Sequence, residues 1–179
     1  FIQGYRPGAL ALRGFGPLDL ALVRPGIVYV SLSAYGEAGP WQERRGFDSL
    51  VQSAMGFNLA EATAAGVTNP KPLPMQILDY GTGHLMAFAV AAALRRQHME
   101  GGSWHVRISL AQTGHWLRSL GRVDNGFAVK VPQREPYIES GPSGFGELAA
   151  SRHSAVLSAT PARWVRASAP PGTHAPVWP

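Results

Sequence analysis

The run Leu78-Asp79-Tyr80-Gly81-Thr82-Gly83-His84 sets one carboxylate at the mouth of the apolar stretch Leu85 to Leu94. A carboxylate at a helix start sits at the positive end of the helix dipole, which favours its ionised, nucleophilic form. Gly81 and Gly83 leave room for a substrate to come close, and their N–H groups could face a developing negative charge. On spacing alone, the plainer alternative of a carboxylate that only caps its helix carries more weight.

Arg44-Arg45, beside Gly46, offers guanidinium forks that match phosphate oxygens. The alternative is a solvated pair on a surface loop. His84 follows Asp79 by five residues and reads as a core histidine rather than its partner. His84, His98, His105, His115, His153 and His174 show no metal-ligand spacing, so no metal is expected. Gly81-Thr82-Gly83 lacks the Lys-Ser/Thr of a nucleoside triphosphate loop. Neither Gly14-Phe15-Gly16 nor Gly144-Phe145-Gly146 completes a dinucleotide fingerprint, and no Gly-x-Ser-x-Gly elbow is present.

The elements that must position these residues belong to a chain of 179 residues, 45% hydrophobic and 15% charged, enough for a domain with a core. There is no cysteine, which excludes thiolate nucleophiles and disulfide frameworks. No run of apolar residues approaches a membrane span and no signal segment opens the chain, so no membrane is expected and the cytoplasm is the default location. A net charge of +5 implies an anionic partner. Scattered arginines without interleaved aromatics make nucleic acid the weaker choice, behind a phosphorylated small molecule. The opening Phe1-Ile2-Gln3 reads like the end of a buried strand, as in a fragment.

Arg6-Pro7-Gly8 leads into a short helix, and Gly14-Phe15-Gly16-Pro17 introduces a second that runs to Val23. Ile27 to Ser33 has the pattern of a strand buried on both faces of a parallel sheet. A glycine-rich loop, Ala34 to Trp41, follows it where an open sheet binds its ligand. Asp48 is placed to cap a helix running to Met55, and residues 60–71 read as polar surface. Tyr80 to His98 predicts a largely buried helix stopped by Gly101-Gly102, Val106 to Leu110 an alternating strand, and Gln112 to Leu120 a helix. From Gly121 onward the chain is Pro-rich and should be extended, with a short strand at Ala155-Val156-Leu157; Trp164 and Trp178 suggest that it packs over something. The expected class is α/β.

Several segments, in order, resemble the family III CoA-transferases, the group of carnitine and bile-acid CoA-transferases. They are Phe1 to Leu10, Arg24 to Gly36, Gly39-Pro40, Arg45 to Gln52, the Asp79 helix and His105 to Leu110. Residues 1–122 therefore resemble part of that family's α/β core, a partial Rossmann-like open sheet. Residues 123–179 would form an extended C-terminal segment packing on it, of which Ser143 to Trp164 looks like the end of some members.

The resemblance implies that Asp79 is a nucleophile. It would attack an acyl-CoA thioester to give an acyl-aspartyl anhydride, returning CoA would form an aspartyl-CoA thioester, and a carboxylic acid acceptor would collect the CoA. Gly4, Tyr5, Arg6, Arg44, Arg45, Gly46, Phe47 and Asp48 match positions that contact CoA in the family. Members carry an arginine at the place of Leu12, and here Arg13 follows it. CoA would be substrate rather than resident cofactor, and a homodimer is implied. The family's α-methylacyl-CoA racemases use a Gly-His-Asp triplet, which here is Gly46-Phe47-Asp48; phenylalanine moves no proton, so racemisation is disfavoured. The family's N-terminal βαβ region and small domain find no match in this chain, which leaves binding of acyl-CoA or a partner without turnover as the alternative function.

Overall fold

The computed structural model describes residues 1–177, and they fall into two compact units, residues 1–127 and the segment that begins at Ala128. The first unit holds a three-stranded parallel sheet, β1 (Ile2–Gln3), β2 (Val28–Ser33) and β3 (Trp104–Ser109), in the order β1-β2-β3. Its helices are α1 (Pro17–Val23), α2 (Asp48–Ala54), α3 (Phe57–Ala65), α4 (Ile77–Glu100) and α5 (Leu110–Ser119).

In register, Val30 stands beside Ile2 and Val106, and Ser31 beside Gln3 and Arg107. Side chains alternate across a strand, so Val28, Val30 and Leu32 share one face with Val106 and Ile108, while Tyr29, Ser31 and Ser33 share the other with His105, Arg107 and Ser109. The sheet is therefore two-sided in chemistry, and β2 is buried on both faces at Tyr29, Val30 and Ser31, as expected for residues 27–33. Leu32 joins the core of Ala34, Val51, Leu78 and Leu110.

Helix α4 begins at Ile77 rather than Tyr80, and it is not largely buried: Leu78, Thr82 and Ala93 are buried, whereas Tyr80, Phe88, Leu94 and Met99 are exposed. The sheet, α2 and α5 pack against it. At 24 residues it is long and apolar enough, by length and composition, to cross a bilayer. Counting only unbroken apolar residues missed this, because its interspersed Gly, Thr and Tyr are uncharged.

Residues 60–65 of the stretch expected to be polar surface belong to α3, which buries only Ala62. Its Ala/Thr-rich sequence has no apolar stripe to announce a helix. Leu110 opens α5 instead of ending a strand: the Ser109 hydroxyl accepts from the Gln112 N–H at 3.1 Å and caps the helix there.

The second unit is built on an antiparallel hairpin, β4 (Ile138–Ser143) and β5 (Gly146–Ser151). The Gly144-Phe145 turn is held by the Ser143 hydroxyl, which accepts from the Phe145 N–H at 3.1 Å and donates to the Gly146 carbonyl at 2.8 Å. No strand forms at Ala155-Val156-Leu157. Trp164 is exposed, and Trp178 lies outside the described residues.

Candidate active site

Asp79 occupies the third position of α4, and it does not cap the helix. The cap comes from elsewhere. Asp48, the first residue of α2 and only 1% exposed, accepts the Asp79 N–H on Oδ2 at 2.8 Å. Its other oxygen accepts from Gln52 Nε2, which also donates to the Met75 carbonyl at 3.1 Å. Asp48 thus closes α4 rather than α2, whose own N-cap residue, Phe47, has no capping side chain. One buried carboxylate and one amide, both on α2, fix the loop that enters α4 and the first turn that carries Asp79.

With its N–H satisfied from behind, the Asp79 side chain stays in reach of solvent. Partial burial, and then the nearby charge of Asp48, raise its pKa above the ordinary carboxylate value.

Gly81 and Gly83 lie inside the second turn, where N–H groups bond carbonyls four residues back, so they are not available to an oxyanion. In the first turn, Ile77 and Leu78 precede the helical ladder and neither N–H has a partner among the described residues, but Leu78 is fully buried, which leaves the Ile77 N–H as the donor nearest the surface. Gly83 leaves open space beside Asp79. Helical side chains lean toward the N-terminus, so a side chain at 83 would lie over Asp79, and a Cβ there meets nothing within 4 Å. At Gly81 a Cβ would press on Thr113 Cγ2 at 3.3 Å, which marks a helix contact.

His84 is exposed rather than in the core, because its position on α4 faces away from the sheet. Phe47 is 87% exposed beside Asp48. Gly46 is required by packing: a Cβ would come to 2.9 Å from Val51 Cγ2 and 3.0 Å from Ala34 Cβ.

The remaining expected residues gather elsewhere. Tyr5 and Arg6 line a cleft of about 390 Å³ over the polar face of the sheet, with Ser31, Glu37 and His105. Asp79, Arg44 and Arg45 do not line it, although Gln42 and Glu43 of the same loop do. Arg44 stacks over Trp41 at 4.7 Å from the ring centre, and Trp41 meets Tyr35 edge-on. Gly4, Arg13 and Arg45 are exposed. Among the described residues no three His, Asp or Glu side chains gather as a metal cage.

The cleft floor holds a network that the sequence reading missed. The Ser31 hydroxyl donates to Glu37 Oε1 at 2.9 Å and stands 2.8 Å from His105 Nε2, while Arg107 reaches Glu37 at 3.4 Å. Burial lowers the His105 pKa against the smaller pull of Glu37. The matching polar alternation of Tyr29-x-Ser31-x-Ser33 and His105-x-Arg107-x-Ser109 was the signal for it.

The family model described as CoA-transferase family III matches residues 1–170. The chain belongs to CoA-transferase family III. It is 34% identical over 137 residues to the probable fatty acyl-CoA transferase Rv3272 of Mycobacterium tuberculosis, covering 75% of this chain and 34% of that protein. It is 30% identical over 101 residues to human succinyl-CoA:glutarate CoA-transferase, covering 56% and 23%. A crystal structure of Rv3272 superposes with a TM-score of 0.61 at 32% identity, over 66% of this chain and 33% of that one. A CAIB/BAIF family protein from Brucella suis shares the fold, with a TM-score of 0.55 at 20% identity over 82% and 40%. The chain thus spans about a third of the length of the first of these relatives.

Proposed function

We propose that the chain carries the nucleophilic part of a family III CoA-transferase, with Asp79 as the residue that becomes acylated. The observation that supports this reading most is the uncovered Asp79 carboxylate, whose backbone is held from behind by buried Asp48 while Gly83 leaves its approach open.

In the reaction, an Asp79 oxygen adds to the thioester carbonyl carbon of an acyl-CoA, the C–S bond breaks, and CoA leaves as thiolate. The thiolate adds to the Asp79 carbonyl carbon of the resulting anhydride, the donor carboxylate departs, and an aspartyl-CoA thioester remains. An acceptor carboxylate then displaces the thiolate to give a second anhydride. The thiolate attacks the acceptor carbonyl, releasing acceptor acyl-CoA and the free Asp79 carboxylate. No proton is gained or lost. The Ile77 N–H at the start of α4 is the candidate donor to each oxyanion, and a carboxylate with a raised pKa is the better nucleophile. CoA is the substrate, Arg6, Arg13, Arg44 and Arg45 are the candidate contacts for its phosphates, and a homodimer is the working assembly.

The names of the relatives include fatty acyl, succinyl and oxalate transferases, so the acyl pair is left as an acyl-CoA donor and a carboxylic acid acceptor. Binding without turnover is the second reading. It is favoured by one observation: the cleft lined by Tyr5 and Arg6 does not include Asp79.

Incubation with a panel of acyl-CoAs, hydroxylamine trapping and peptide mass measurement separates the two. A hydroxamate on Asp79 that vanishes in Asp79→Asn is the expected result. No adduct from any donor, in a folded preparation that retains CoA, sinks the catalytic reading.

A further inference from the structure

The Asp48–Gln52 pair reaches into the site without facing it. Asp48 is buried, has no salt bridge among the described residues, and spends both carboxylate oxygens on hydrogen bonds, one to Gln52 and one to the Asp79 N–H. A buried acidic residue without a cation is costly, and a neutral side chain could close the same helix turn. Its charge therefore calls for a reason beyond capping. Gln52 extends the same contact to the Met75 carbonyl, so the segment entering α4 cannot shift without breaking a buried bond.

We propose that Asp48 is a positioning residue for the transferase reaction: it fixes the helical turn that presents the Asp79 carboxylate and, by its negative charge behind that turn, keeps the carboxylate a strong nucleophile. The proposal rests on Asp79 being the nucleophile. Among the charged groups on the elements packed against the start of α4, Asp48 of α2 is the one whose field reaches Asp79. Helix α5 presents Thr113 there, and the sheet presents its apolar face. On α4 itself the neighbouring titratable groups are Tyr80 and His84.

Asp48→Asn keeps an acceptor for the Asp79 N–H and removes the charge, but its NH2 cannot accept from Gln52, so a variant lacking the Gln52 contact alone is needed beside it. Asp79 is followed by carboxyl-carbon NMR titration in the unreacted chain, and its acylation by single-turnover trapping at saturating acyl-CoA. In Asp48→Asn the Asp79 midpoint should move to lower pH, because a like charge that disfavoured ionisation is gone. Acylation should slow only a few-fold, with half-saturation by the donor unchanged and the acid limb of its pH profile moved the same way. A residue that merely stabilised the fold would leave both midpoints in place.

Gln52→Leu serves as the second variant: it loosens the turn but retains the charge, so it should slow acylation without moving the titration midpoint. An unmoved Asp79 midpoint in folded Asp48→Asn overturns the proposal, whether or not the chain turns over. A midpoint that moves in Asp48→Asn while the wild-type chain forms no adduct supports the electrostatic clamp, and in that case it is the nucleophile reading that fails.

Discussion

Helices α4 and α5 both start at the edge of the same core, yet their first turns are closed in different ways. Helix α5 is capped from within its own sequence, by Ser109 on the Gln112 N–H. Helix α4 has no local cap at Gln76, and a carboxylate thirty-one residues upstream takes the Asp79 N–H instead. A local cap occupies the side chain nearest the helix mouth. A remote cap satisfies the backbone and leaves that side chain free, so the helix that carries the candidate chemistry is the one closed from a distance.

The two starts are tied together by one buried link. The Thr82 hydroxyl donates to Thr113 Oγ1 at 2.7 Å, and Thr113 donates onward to the Ser109 carbonyl at 3.2 Å. Thr113→Val keeps the shape and removes the relay, leaving the Thr82 donor without its acceptor in the core. Destabilisation of about 1–3 kcal/mol in urea unfolding is expected. A loss below a few tenths of that would mean that the two helix starts are independent. Ser109→Ala should cost about 1 kcal/mol and should leave the rate of Asp79 acylation unchanged, because only the local cap is removed. Slowed acylation in a fully folded Ser109→Ala chain would show that the cap of α5 also supports the site.

The same contrast explains what the sequence made legible. Strand β2 falls within one residue of its expected limits and α1 ends where expected, because their signals are turn residues and apolar runs lying inside the elements themselves. That Asp79 lies at the start of an apolar helix was also local. What stayed hidden depended on partners far along the chain. Asp48 looked like a cap for its own helix, since nothing near it points to Asp79, and Gly81 and Gly83 looked like open donors until α4 was found to begin at Ile77. Burial of α4 was overstated because an apolar helix need not be covered on every side. Helix α3 and the β4–β5 hairpin failed for a different reason: neither has an apolar stripe, and their residues are held mainly by backbone and turn hydrogen bonds.

The smallest expected effect tests the electrostatic side of the comparison. Burial, and then Asp48, hold the Asp79 pKa above its unfolded value, so ionising Asp79 is harder in the fold than in the unfolded chain. Below the ordinary carboxylate range both states are protonated and no stability is lost. As pH rises through that range to the folded pKa, the unfolded state releases its proton first, and folding loses stability that it does not regain at neutral pH. Asn cannot ionise, so Asp79→Asn should match the wild-type Tm in acid and exceed it at neutral pH. The difference should be small and should shrink with added salt, because Asp79 is partly solvated and its interaction with Asp48 is screened. It should shrink to the larger share, due to burial, when Asp48→Asn is added. A neutral-pH Tm for Asp79→Asn at or below that of the wild type, with equal values in acid, would mean that the remote carboxylate closes the helix without straining the residue it presents.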